Sequence, residues 1–442
     1  MTIRSTVRWA ATHGVMRVAT LRRARAGNPD AQLLVDPALQ ADPYTQYEKL
    51  RTDAPFAPGA LSRLSVRHDI CTAVLRSDDF GVLAQDVPVP APLRLALRLA
   101  GPPPHPGPLD PPSMLAVNPP THTRYRRLVT RAFTARAVAA LRERTELIAH
   151  GLLDDLERAA RDGDGRVDLV AGYAALLPVT VISEMLGVPA AMRERFLAWG
   201  DGAAASLDMG LTRARFAEVE VNLAAIDAWM REHLRRLRRE PGGDLLSTLV
   251  ALTDDDGSGL TEDELVATAS LVLGAGFETT VNLIGNGAAL LFAHPDQRSL
   301  LAERPELWPN AVDEVLRVES PVQRTVRRAR RATTVGGVGI AEGELVVTLL
   351  AAANRDPAVF TDPHAFDVTR PNAKEHVSFS SGLHYCLGAA LARMEGEVAL
   401  RALFERFEGL TPAGPARRRA TRVLRGYQAM PVALASRSSV PG

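Results

Sequence analysis

The run from Thr261 to Ala293 constrains this chain more than any other stretch. Its apolar residues fall on every side rather than on one stripe. As a helix it has almost no face to offer solvent, so it must be wrapped by protein. Thr261 with Glu264 has the spacing of a capping box, which predicts where the helix opens. Midway along lies Ala275-Gly276-Phe277-Glu278-Thr279-Thr280. A glutamate inside an apolar helix is costly unless it has a partner or a job. Gly276 weakens the helix there by up to ~1 kcal/mol relative to alanine. The stretch predicts a local opening where backbone groups, water and a small molecule can meet. The plain alternative is a threonine bonding back to a carbonyl four residues earlier, beside an exposed glutamate.

Other helical patterns surround this one. Ala137 to Glu157 places Leu141, Ile148, Leu152 and Leu156 on a face. Phe216 to Arg239 ends in arginines before Pro241-Gly242-Gly243, a helix stop. Strand patterns are few and late. Thr334 to Ile340 and Leu345 to Leu350, around Ala341-Glu342-Gly343-Glu344, are expected to form a hairpin. A short early strand is expected around Leu64-Ser65-Val66. Residues 86–112 are rich in proline around an apolar helical patch, Leu93 to Leu99. Long irregular segments inside compact domains tend to be functional. No repeat or linker divides the chain. The expectation is a mainly α fold with small β-sheets, one domain over residues 36–442 preceded by a basic arm over residues 1–35.

The arm holds six arginines and no acidic residue before Asp30. Val7, Val15, Val18 and Leu21 form an apolar stripe between Arg4, Arg8, Arg17 and Arg22. That suits either a membrane-surface helix or an arm packed on its own domain. His13 and Arg17 interrupt any signal-peptide core, so export is not expected. A net charge of +1 argues against nucleic acid or another general polyanion as partner. No run of about eighteen apolar residues occurs, so no transmembrane anchor is expected. The two cysteines, Cys71 and Cys386, imply no disulfide framework and a reducing, cytoplasmic setting. Asp254-Asp255-Asp256-Gly257-Ser258-Gly259 mimics the start of a calcium loop, but Leu265 stands where the bidentate glutamate is needed.

The richest chemistry lies in Phe379-Ser380-Ser381-Gly382-Leu383-His384-Tyr385-Cys386-Leu387-Gly388. A helical pattern follows at once, through Leu391, Met394, Val398 and Leu403. The N-terminus of that helix favours a thiolate over a thiol. Gly382 and Gly388 allow backbone to lie against a flat macrocycle. Phe379 is placed to cover the sulfur, and loop amides to tune it. A lone thiolate held this way serves as the axial ligand of a haem iron. A free core cysteine beside a turn is the alternative.

Phe-x-x-Gly-x-His-x-Cys-x-Gly resembles the haem-binding signature of the cytochrome P-450 family. The Ala275 to Thr280 stretch resembles that family's distal helix motif. His122-Thr123-Arg124-Tyr125-Arg126, with the later Ala132-Phe133-Thr134, resembles its propionate-binding helix. Glu314-Val315-Leu316-Arg317 matches its Glu-x-x-Arg. The motifs occur in family order between about Asp36 and Val432. The wording of Pro321-Val322-Gln323 and Asn354-Arg355-Asp356-Pro357 is closest to soluble actinobacterial members. Asn118 departs from the aspartate that many relatives place before the two prolines.

The resemblance implies the cytochrome P-450 fold, with a long central helix over haem b (iron protoporphyrin IX). Cys386 would be the metal ligand. His122, Arg126, Arg327 and His384 would hold the propionates, and Ala275, Phe379, Gly382 and Gly388 would contact the cofactor. Thr279 would hydrogen-bond the dioxygen being cleaved while Glu278 relays protons. Glu314, Arg317 and Arg370 would form a buried structural salt-bridge triad. Pocket walls would come from residues 86–112, Phe196 to Phe216, Leu271, Val272, Val322, Gln323, Ala429 and Met430. These are largely apolar, which implies a medium-to-large hydrophobic substrate. Monooxygenation, as hydroxylation or epoxidation, is the implied reaction. A biosynthetic oxidase without net oxygen insertion and a haem gas sensor or carrier are the alternatives. Electrons would come from a ferredoxin and its reductase, docking beneath Cys386 on Arg124, Arg127, Arg131 and Arg393. Ordinary solvated arginines are the other reading of that patch. A monomer is expected.

Overall fold

The Thr261 capping box forms as its spacing predicts. The Thr261 side chain accepts from the Glu264 N–H, and Glu264 accepts from the Thr261 N–H at 2.8 Å. The computed structural model describes residues 2–83, 91–132, 135–253, 257 and 259–434. Phe133-Thr134 of the basic-helix motif, Asp254 to Asp256 and Ser258 of the acidic loop, and residues 86–90 of the proline-rich segment lie outside the described residues.

The helices that matter for the site are, in chain order, α1 (Ile3–Trp9), α2 (Val15–Arg25), α3 (His68–Arg76), α4 (Ala91–Ala100), α5 (Thr121–Ala132), α6 (Ala135–Asp162), α7 (Leu176–Met185), α8 (Arg193–Ala204), α9 (Arg213–Arg239), α10 (Glu262–Ala293), α11 (Trp308–Val318) and α12 (Ala389–Arg406). By length and composition α10 matches a membrane span, yet 61% of its apolar window is buried inside the protein. Leu153 of α6, Ile182 of α7, Phe196 of α8, Met230 of α9, Val315 of α11 and Leu400 of α12 join Leu273, Phe277 and Leu283 of α10 in one core. Each such side chain contributes roughly 1.5–3 kcal/mol of transfer free energy. Glycines set how closely the helices approach. A Cβ on Gly200 would lie 1.9 Å from Phe277 Cζ, and one on Gly396 would lie 2.8 Å from Leu283 Cδ2.

The β region is small. Strands β1 (Ala57–Pro58), β2 (Arg63–Ser65), β3 (Phe80–Gly81), β4 (Arg166–Asp168), β5 (Thr325–Ala329), β6 (Thr333–Val335), β7 (Val338–Ile340), β8 (Leu345–Thr348), β9 (Thr411–Pro412), β10 (Arg417–Arg418), β11 (Tyr427–Ala429) and β12 (Pro431–Ala433) form four sheets. The largest has the order β1-β2-β8-β5-β3, with β2 parallel to β8. The expected hairpin is not what forms. β6 and β7 pair with each other across Gly336-Gly337, whose φ values are 57° and 78°. Positive φ at both centre positions is what a two-residue hairpin turn requires. β8 pairs instead with β5, Arg327 opposite Val346 and Val326 opposite Val347. Two arginines inside β5 hide it from a propensity reading, because a pair of charged residues does not read as a pleated, half-buried surface.

Candidate active site

The cysteine loop closes on itself before α12 begins. The Cys386 N–H donates to Phe379 O at 2.9 Å and the Tyr385 N–H to Gly382 O at 3.0 Å. Gly388 caps α12. Burial pushes the Cys386 thiol up, while the Gly388 N–H, Arg126 and Arg393 pull it down without offsetting the burial. A metal cation at the sulfur is the missing counter-charge for a thiolate. Among the described residues no group of three or more His, Cys, Asp or Glu side chains is placed to hold a metal ion. A lone thiol at this place fits a haem iron held by one axial thiolate. Arg393 lies over the Phe379 ring, with Cζ 4.7 Å from its centroid.

Both Cys386 and Gly388 line a cavity of about 980 Å³. A Cβ on Gly388 would meet nothing within 4 Å, which leaves a flat opening beside the sulfur. Gly382 plays a different part from the expected one. It does not line the cavity, its φ is 67°, and a Cβ there would lie 2.4 Å from Leu75 O at the end of α3. Close packing of the loop on α3 demands this glycine, rather than contact with a macrocycle.

His122, Arg126, Arg327 and His384 converge on the same cavity. The two imidazole rings are 4.1 Å apart between centroids. Burial, then Arg126 and Arg327, push His122 down to about 4. Burial, then His122, Arg327 and Arg126, push His384 down to about 3. His122 Nδ1 and His384 Nε2 are buried without a hydrogen-bond partner. Arg327 is buried, and its Nη1 donates only to Thr325 Oγ1 at 3.0 Å and Val326 O at 2.9 Å. Burial alone pushes it down to about 10, with no carboxylate raising it. Arg126 Nη1 donates to Tyr385 O at 2.7 Å. One buried cation, one half-buried cation and two orphaned ring nitrogens cost free energy until anions arrive. The cluster fits the two propionates of a haem.

Ala275 and Thr279 of α10 also line the cavity. The helix stays regular through this stretch, so the expected opening is not a break in it. A Cβ on Gly276 would lie 3.1 Å from Ile182 Cδ1, so this glycine is a packing notch. Thr279 Oγ1 donates to Ala275 O at 2.7 Å, the geometry of the plain alternative. Its other half fails, because Glu278 is only 4% exposed. Glu278 Oε1 sits 3.3 Å from Arg419 Nε without hydrogen-bond geometry. Arg419 Nη1 reaches on to Asp201, which is half exposed. Burial pushes the Glu278 carboxyl up, and Arg419 offsets this only in part. Sequence spacing carried no sign of Arg419 or Asp201, since each is far from α10 along the chain.

Glu314 accepts from Arg317 at both oxygens, at 2.7 and 2.8 Å, and from Arg370 Nε at 3.1 Å. Arg317 also donates to the carbonyls of Asn354, Pro363 and Ala365. Every charge in this group is satisfied, and none of the three residues lines the cavity.

Of the expected pocket residues, Leu271, Val272 and Val322 line the cavity. Gln323, Ala429 and Met430 do not. Gln323 Nε2 donates to Ser320 O at 2.7 Å, and its Oε1 accepts from Tyr47 at 3.0 Å, on the far side of the turn. Met430 is buried in the main core, and its N–H donates to Asp168 Oδ1. The C-terminal wall comes instead from Arg422, Val423 and Leu424. The expected docking arginines are engaged within the fold. Arg124 pairs with Glu264 at 3.3 Å, Arg393 pairs with Asp313 at 2.7 Å, and Arg131 Nη1 donates to Thr253 O at 3.3 Å.

Comparison with known proteins points one way. The profile of the family described as Cytochrome P-450 matches residues 205–423. Cytochrome P-450 140 of Mycobacterium tuberculosis is 48% identical over 429 residues, 96% of this chain and 97% of that protein. The 6-deoxyerythronolide B hydroxylase of Saccharopolyspora erythraea is 44% identical over 322 residues, 72% of this chain and 76% of that protein. Among solved structures, P450BioI in complex with an acyl carrier protein ligated to hexadec-9Z-enoic acid superposes with a TM-score of 0.80 at 33% identity, covering 90% of this chain and 100% of that one. Mycobacterium smegmatis CYP164A2 in its ligand-free state has a TM-score of 0.79 at 35% identity, covering 91% and 98%.

Proposed function

The chain belongs to the cytochrome P-450 family and is a P-450 monooxygenase, and on that premise we propose that it hydroxylates or epoxidises a medium-to-large hydrophobic molecule, with O₂ and two electrons from a ferredoxin and its reductase. One observation carries the reading: Cys386, the propionate cluster and the Glu278-Thr279 pair all border one cavity with largely apolar walls. Haem, taken as haem b, supplies the activation of O₂ and the transfer of one oxygen atom to a C–H or C=C bond when bound. Cys386 ligates its iron, and His122, Arg126, Arg327 and His384 hold its propionates. Thr279, tied to Ala275 O, keeps its hydroxyl oxygen free to accept a hydrogen bond on the cavity side. Glu278, buried with its carboxyl pushed up, is placed to relay a proton, and Arg419 links its position to the half-exposed Asp201.

Relatives are named for hydroxylating 6-deoxyerythronolide B and vitamin D(3), which supports a substrate of comparable size. The test is product mass after turnover under labelled O₂ with a ferredoxin system. One labelled oxygen atom in the product is expected; turnover without label would replace oxygen insertion by coupling or rearrangement. The reduced CO complex should show a thiolate-type Soret band that Cys386→Ser abolishes.

A further inference from the structure

The basic arm packs at the end of one of the two segments that roof the cavity and just ahead of the other. One runs from Pro103 to Ala116 after α4, and the other from Ala203 to Gly210 at the end of α8. Trp9 Nε1 donates to Leu211 O at 3.0 Å, and the Leu211 N–H donates to His13 Nδ1 at 3.3 Å. Both backbone polar groups of Leu211 are thus taken by the arm. The His13 ring sits 5.1 Å from the Phe216 ring, and Trp9 packs on the cluster of Ala205, Leu211, Phe216 and Val219. Burial, then Arg422, push His13 down to about 4, so Nδ1 stays an acceptor at neutral pH.

Just ahead of the other roof segment, Arg8 Nη2 donates to Pro102 O at 2.9 Å while Nη1 pairs with Glu220 of α9 at 3.2 Å. Arg17 comes close to Gly210, where φ is 72° and a Cβ would lie 3.5 Å from Arg17 Cα. Beyond these contacts, Met16 and Thr20 of α2 line the cavity itself. Opening the 205–212 loop would break both bonds at Leu211 and expose its apolar cluster, which makes opening a discrete step.

We propose that α1 and α2 clasp the 205–212 loop over the substrate cavity, and that Met16 and Thr20 are specificity-determining wall residues. The proposal rests on the monooxygenase reading for what enters the cavity, and on geometry alone for the clasp. Two full-length holoenzyme variants test it. The first combines Trp9→Phe with His13→Ala and removes both bonds to Leu211. The second, Met16→Trp, adds bulk to the wall. Amide hydrogen exchange over residues 205–212 reads the clasp. Stopped-flow binding of imidazole and of clotrimazole, followed by the Soret shift, reads the cavity. In the first variant, exchange should rise about tenfold, the equivalent of roughly one net hydrogen bond. Clotrimazole association should rise by a similar factor while imidazole association holds. Met16→Trp should weaken clotrimazole about tenfold and leave imidazole unchanged, since one added indole blocks only the larger ligand.

Unchanged exchange in the first variant, or equal effects on the two azoles in either variant, overturns the proposal. Should the first variant fail to fold, Met16→Trp decides by itself. A wild-type reduced CO complex without the thiolate-type band would sink the monooxygenase reading, and the exchange result would still decide the clasp.

Discussion

Arg327 shows how a single side chain can be a cost to the fold and an asset to the site. Its charge is buried with only a hydroxyl and a carbonyl for company. Replacing it by leucine removes that cost from the haem-free chain and, on the proposed function, removes a propionate partner from the loaded one. Arg327→Leu is expected to be at least as stable as the parent without haem. It should release haem more readily, by the ~1.5–3 kcal/mol that a charge-assisted hydrogen bond contributes. Thermal melts of the haem-free chain and haem transfer to apomyoglobin measure the two effects. Glu395 on α12 is a second buried ionisable group, 1% exposed, with Oε2 unpartnered. Burial alone pushes its carboxyl well above the usual 4.5. A raised folded value means that the stabilising protonated form is fully populated below about 4.5 and is lost as pH rises through the folded value. Glu395→Gln keeps the shape without the charge. Its melting temperature should match the parent near pH 4 and exceed it increasingly toward pH 8. A gap that does not vary with pH would count against the assignment.

Between elements, glycine notches decide helix spacing. Gly200 of α8 receives the Phe277 ring of α10, beside the cavity wall. Gly200→Ala is expected to cost ~1–3 kcal/mol through overpacking. Phe277→Leu frees the space, so the double variant should lose less than the sum of the singles, by ~0.5 kcal/mol or more in urea titrations. Element identity was legible wherever periodicity was strong, as in α6, α9 and α10, and the Thr261 capping box marked its terminus correctly. Strand pairing was not. The Gly336-Gly337 turn lay inside a segment that reads as one strand, and β5 carried two arginines that mask its strand pattern. Pocket positions failed for a related reason. Gln323 and Met430 sit close in sequence to residues that line the cavity, but the direction of a side chain in an irregular segment depends on its hydrogen-bond partners, here Tyr47 for Gln323 and Asp168 for the Met430 backbone.

At the scale of the molecule, Glu314 is the junction. It joins α11 to Arg370, and Arg317 extends the junction to the carbonyls of residues 354, 363 and 365. Glu314→Ala strands two buried guanidinium groups and should cost ~3–5 kcal/mol, enough to abolish cooperative folding of a marginally stable chain. Denaturant titration of the purified variant, or its recovery only as aggregate, reports the loss. The sequence alone determined the family and the mainly helical architecture, and it singled out Cys386 and the loop around it as the candidate haem site. Those depend on local spacing, which a motif records directly. Only the tertiary structure decided that Arg419 and Asp201 accompany Glu278, that Gly382 serves packing, and that the arm packs at Leu211 with Met16 and Thr20 in the cavity wall. Each of these depends on contacts between segments more than a hundred residues apart, and no local pattern encodes which distant partner satisfies a buried charge or a backbone carbonyl.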